Sequence, residues 1–144
     1  MPPLMQRAYM CMAAGAIAGL VTTVLIWAFS EAGLFARLSI PMAPDLHVSW
    51  IYQRSFWGGL WGPLFVLPLL TGSSQWRRGL LFGVAPALAT LLLFNPLKDG
   101  IGMFGLKWGF AWPAIVVFFG LLWGVIAGWL LDLAGYLSAE QGEE

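Results

Sequence analysis

Few side chains in these 144 residues are able to do chemistry. Asp45 and His47 stand two residues apart, close enough to share a turn, and a His–carboxylate pair is a known acid–base element. Arg54, Lys98, Asp99 and Lys107 fall on the same side of the apolar segments. Asp45, His47, Arg54, Lys98, Asp99 and Lys107 are therefore the one candidate polar cluster. No HExxH, GxSxG or glycine-rich phosphate loop accompanies them. A lone histidine at an interface is ordinarily solvated or capping, so no enzymatic activity is expected. The single histidine excludes a site built on two imidazoles, and the single cysteine excludes a disulfide framework and a CxxC metal site. Cys11 follows the bulky Tyr9 and Met10, where a lipoprotein signal needs small residues, and reads as a plain buried or lipid-facing thiol.

The elements that hold these residues are apolar. The chain is 60% hydrophobic and 10% charged, with 7 Lys+Arg balancing 7 Asp+Glu. Ordinary soluble domains carry about 25% charged residues, so a soluble fold is excluded, as is nucleic-acid binding through a basic face. A bilayer core about 30 Å thick takes about 20 apolar residues in a helix. Four stretches qualify: about 8–30, 55–72, 79–95 and 111–131. The expectation is one all-α polytopic domain over 1–144, with four transmembrane helices. Pro63, Pro68 and Pro86 should kink the middle two. The first stretch is too long for the apolar region of a signal peptide and is expected to be retained.

The connections 31–52 and 96–110 mix apolar residues with charges and are expected to lie at the membrane interface. Both emerge on one side, which collects Trp27, Trp50, Trp57, Trp108 and Trp112 as an aromatic belt. Arg7, Arg77 and Arg78 stand on the other side with the termini, and the Arg77–Arg78 pair in the shortest loop favours cytoplasmic termini. No ionisable residue is expected near the middle of any span, Arg54 and Asp132 being placed at ends. Proton relays and ion pathways need such residues. Thr22, Thr23 and Thr90 are expected to bond their own helix carbonyls.

Packing signals are stronger than chemical ones. Gly15 and Gly19, Gly58 and Gly62, and the series Gly120, Gly124 and Gly128 each place small residues on one helix face, which suits close helix contact in lipid. Trp57 and Trp61 share a face, and with Trp123 and Trp129 offer a surface for a lipid tail, quinone or carotenoid. Six identities in fifteen relate 50–64 to 112–126 at an offset of 62, which suggests two repeated hairpins.

The stretches Trp57-Gly58-Gly59-Leu60-Trp61-Gly62-Pro63-Leu64-Phe65, Arg78-Gly79-Leu80-Leu81-Phe82-Gly83-Val84-Ala85-Pro86 and Asn95-Pro96-Leu97-Lys98 resemble those of a family of small proteobacterial inner-membrane proteins. The resemblance covers about residue 50 to the end and implies a bacterial inner membrane, with no activity attached. Three functions follow as expectations: a non-enzymatic accessory or scaffold subunit of a larger membrane complex, held by its glycine faces; a small oligomeric transporter or channel; or a lipid- or quinone-binding protein. Partners expected are membrane lipids and other transmembrane subunits or further copies of the chain. No resident cofactor or metal is required by the sequence.

Overall fold

The computed structural model describes residues 4–40, 47–66, 75–98, 100 and 102–143. These are helical with no strand among them. Helix α1 spans Leu4–Glu31, and after a glycine turn the short α2 (Leu34–Arg37) follows. Helix α3 (Val48–Trp61) continues as a 3₁₀ segment over Gly62–Val66. Then come α4 (Gln75–Phe82), α5 (Val84–Ala89) and a π-helical stretch Thr90–Lys98. A kinked pair of 3₁₀ turns over Met103–Trp108 leads into α6 (Ala111–Glu143).

Three stretches are long and apolar enough to cross a membrane: Met5–Glu31, Gln75–Leu97 and Ala111–Gly135. The first, third and fourth sequence-predicted segments fall within them. The second differs. Its helix begins at Val48, seven residues earlier than expected, and leaves the α-helical path after Trp61. The polar run Tyr52-Gln53-Arg54-Ser55 reads as a boundary, yet the helix passes through it because α1 supplies partners. Ser55 Oγ donates to the Ala16 carbonyl at 2.9 Å and Arg54 Nε donates to Thr23 Oγ1 at 3.1 Å.

Two of the three prolines expected to kink the middle stretches, Pro63 and Pro86, lie at helix irregularities. The 3₁₀ segment contains Pro63, and the α4–α5 break at Gly83 lies three residues before Pro86. Pro96, which lacks an N–H and crowds an α-helical carbonyl four residues back, sits inside the wider π stretch. Pro68 lies outside the described residues.

Glycines join the helices in two antiparallel clasps. A Cβ built on Gly15 would strike the Gly58 carbonyl oxygen, one on Gly19 the Arg54 carbonyl, and one on Gly62 the Cys11 carbonyl. In the second clasp Gly79 and Gly83 of the α4–α5 segment meet the Gly124 and Gly120 carbonyls, and Gly128 meets Gln75. All seven glycines singled out in the sequence are thus spent on contacts within the chain. Gly79 and Gly83 are also a GxxxG pair, and their spacing alone could have marked them.

Two cores fill the space between the clasps. Cys11, Ala18, Phe65, Phe82, Trp123 and Ala127 form one, while Ile26, Phe35, Ile40, Trp112 and Phe119 form the other, nearer the long connections. Asp132 of α6 closes the far end: its Oδ1 accepts from Gln75 N at 2.9 Å and its Oδ2 from Trp76 N at 3.2 Å. These are orphan N–H groups at a helix start, which a carboxylate suits. Asp132→Ala is expected to cost about 1–2 kcal/mol, read as a fall in the thermal midpoint of the detergent-solubilised protein. Asp132→Asn should recover part of that loss.

A tryptophan-lined candidate binding cavity

A partly open cavity of about 410 Å³ lies between α1, α3, the α5–π segment and α6. On α6 its lining runs from Trp112 to Trp123, about 16 Å at 1.5 Å per residue. Trp123 stands near the middle of the apolar stretch Ala111–Gly135. The cavity therefore descends from the long-connection end to the centre of the apolar layer.

Six of the nine tryptophans line it: Trp50, Trp57, Trp61, Trp108, Trp112 and Trp123. Trp108 meets Trp112 edge-on with ring centroids 4.8 Å apart, and Trp57 meets Phe94 at 5.4 Å. Trp123 is fixed by donating its indole N–H to the Gly15 carbonyl at 3.0 Å. The structure thus brings together Trp57, Trp61 and Trp123 of the expected aromatic surface. Trp129 is 54% exposed and lies elsewhere. Four members of the expected interfacial belt, Trp50, Trp57, Trp108 and Trp112, are walls of the cavity.

The polar lining is unusual. Asn95, on the π stretch, is 1% exposed, and neither its Nδ2 nor its Oδ1 has a hydrogen-bond partner. Trp112, 7% exposed, has an unpartnered indole N–H. A buried polar group without a partner costs about 1–3 kcal/mol, so such groups ask for an explanation. Gly105 wedges against both: a Cβ there would fall on the Trp112 ring and 2.7 Å from Asn95 Nδ2, and its φ of +65° already favours glycine. The sequence held a faint signal for this pair, a polar Asn95 beside a proline at the end of an apolar run.

Arg54, expected at the end of a span, packs against the middle of an apolar helix. Its carbonyl abuts Gly19, close to the centre of Met5–Glu31, and its guanidinium rises toward Thr23. One face lies 5.9 Å from the Trp50 ring centroid. Among the described residues the guanidinium makes no hydrogen bond beyond the Nε–Thr23 one, and no carboxylate pairs with it. Thr22 and Thr23 donate back to the Ala18 and Gly19 carbonyls and Thr90 to that of Pro86, as threonines in membrane helices do.

The polar cluster expected around Asp45 and His47 is not assembled by the described residues. Asp45, Asp99 and the Lys98 side chain lie outside them. His47 is exposed at the start of α3, and Lys107 is exposed with its Nζ 3.4 Å from the Gly100 carbonyl. Arg54 alone enters the cavity. Among the described residues no three His, Cys, Asp or Glu side chains gather as a metal site.

A fold of this kind defines a helical protein with stretches long and apolar enough to cross a membrane and a partly open aromatic cavity. No protein-family model matches the chain, and neither a curated protein nor a solved structure is significantly similar to it.

Proposed function

We propose that the chain is a four-span bacterial inner-membrane protein, with cytoplasmic termini, that holds an amphipathic membrane ligand such as a lipid or quinone in its tryptophan-lined cavity. The observation that carries this reading is the aromatic chamber with the Arg54 guanidinium in its wall; Asn95 and Trp112 also line it, their unpartnered polar atoms packed against Gly105 just behind its surface. Ligand sites are concave and mostly apolar, with a few convergent polar groups that fix orientation. Counting α3 with its 3₁₀ extension as a span is supported by its antiparallel run along α1, from Arg54 beside Gly19 to Gly62 beside Cys11. The glycine faces that favoured an accessory subunit are already used inside the chain, which moves the ligand reading ahead of it.

The test is mass spectrometry of the full-length protein extracted in a mild detergent. An apolar molecule near one per chain is expected, and Thr90→Trp, which fills the cavity from the π stretch, should remove it while the protein stays folded. Recovery of only bulk membrane lipid, in the same proportions from both forms, would count against the proposal.

An accessory-subunit role keeps one support. A shallow outward groove between α1 and α3, lined by Ala13, Ala16 and Gly59 beside the exposed Phe56, offers small residues to a neighbouring helix. Co-purification of another chain in fixed ratio, lost on Ala16→Leu, is the corresponding result.

A further inference from the structure

We propose that the head of the ligand is an oxyanion, a carboxylate or phosphate monoester on an apolar tail, and that Arg54 selects it; this rests on the cavity being the binding site. The donor inventory points that way. A guanidinium has five N–H donors and no acceptor, and Thr23 uses only the one on Nε. The Trp112 indole and the Asn95 amide lie just behind the same wall, where a small shift would add their N–H groups to those of Arg54. The complement of such a lining is rich in acceptors.

Charge makes the argument sharper. A charged side chain at membrane depth is expensive and is ordinarily kept by a partner of opposite sign or by function. Arg54 has no described carboxylate beside it, and a cation–π contact with Trp50 at 5.9 Å is a weak substitute. A neutral quinone carbonyl could accept from the indole or the amide but would leave the guanidinium uncompensated. An anionic head satisfies both the hydrogen bonds and the charge, in the charge-assisted form that is the stronger one. The aromatic walls running to Trp61 and Trp123 then face the tail.

The experiment uses the full chain in a nonionic detergent at pH 8, with tryptophan fluorescence quenching as the readout. The probes are 9,10-dibromostearate, its neutral methyl ester and inorganic phosphate. Dibromostearate is expected to bind about tenfold or more tightly than the ester, and Arg54→Gln should bring the acid down to the ester's affinity. Arg54→Lys, which keeps the charge but loses the planar fork, should fall between. If Arg54→Gln does not survive extraction, the acid-to-ester ratio of the wild type decides, with Asn95→Leu as the second variant. Equal binding of acid and ester overturns the oxyanion and leaves the cavity reading standing. Quenching by neither overturns both. Failure of micromolar phosphate to displace dibromostearate supports a membrane amphiphile, whereas displacement makes the ligand a free anion and overturns the tail.

Discussion

Leucine at Gly124 is expected to unfold the bundle. A Cβ at this position would collide with the Gly79 carbonyl oxygen and come within 3.1 Å of the Gly83 Cα. Both obstacles are backbone, so no rotamer change relieves them, and the two helices must part. Overpacking a close contact costs about 1–3 kcal/mol and sometimes more. Here the separation also opens the contacts at Gly120 and Gly128, and a loss of about 3 kcal/mol or more is expected. That is a large share of a total stability of about 5–15 kcal/mol. Size-exclusion chromatography should show loss of the monodisperse species, and Gly58→Leu should do the same through the first clasp. Gly135→Leu is the control: nothing lies within 4 Å of its Cβ position, and its thermal midpoint should stay near that of the wild type. A Gly124→Leu protein as stable as the wild type would mean that α4 and α6 do not meet as described.

The helical class and the apolar stretches were legible because hydropathy over 20 residues is a collective signal that single exceptions do not erase. The start of α3 was not, for the same reason inverted. Four polar residues in a row outweigh their neighbours in any local count, and only the partners on α1 explain why Arg54 and Ser55 can enter. The glycines were legible as packing residues, since the i, i+4 spacing is local. What they pack against is set by pairing across the chain, and this decides between an outward surface and an inner clasp. The tryptophans followed the same rule. Their number was plain, but belt and cavity differ only in which way a helix is turned.

Register shows the point quantitatively. The sequence identities relate the second helix of each hairpin at an offset of 62. The contacts relate them differently. Gly58 meets the Gly15 carbonyl and the Gly19 Cα, as Gly124 meets those of Gly79 and Gly83; Gly62 lies on Cys11 and Met12, as Gly128 lies on Gln75 and Trp76. The equivalent positions are thus 66 apart in the second helices and 64 apart in the first. The difference of 4 from the sequence offset is about one helical turn. In this register Arg54 takes the place of Gly120. Two similar clasps hold the cavity between them, and the symmetry is broken where the charge enters.

Replacing Asn95 by leucine is expected to make the ligand-free protein more stable and to weaken ligand binding. The two side chains branch alike at Cγ, so the change is nearly shape-conserving, while it removes two buried polar atoms that have no partner. Such atoms cost about 1–3 kcal/mol when left unsatisfied, and relief of that order should raise the thermal midpoint of the delipidated protein. The ligand-bound form should gain nothing, because the amide is then hydrogen-bonded and its loss removes a contact. The stabilisation that the ligand confers should therefore shrink in Asn95→Leu, since that increment reports affinity for the folded state. A structural asparagine behaves oppositely: its removal lowers stability with and without ligand alike. Strain kept at functional positions at the expense of stability is a recurrent trade, and the sign of this one change separates the two roles. A lower midpoint for Asn95→Leu in both states would remove one support for a binding site in the cavity.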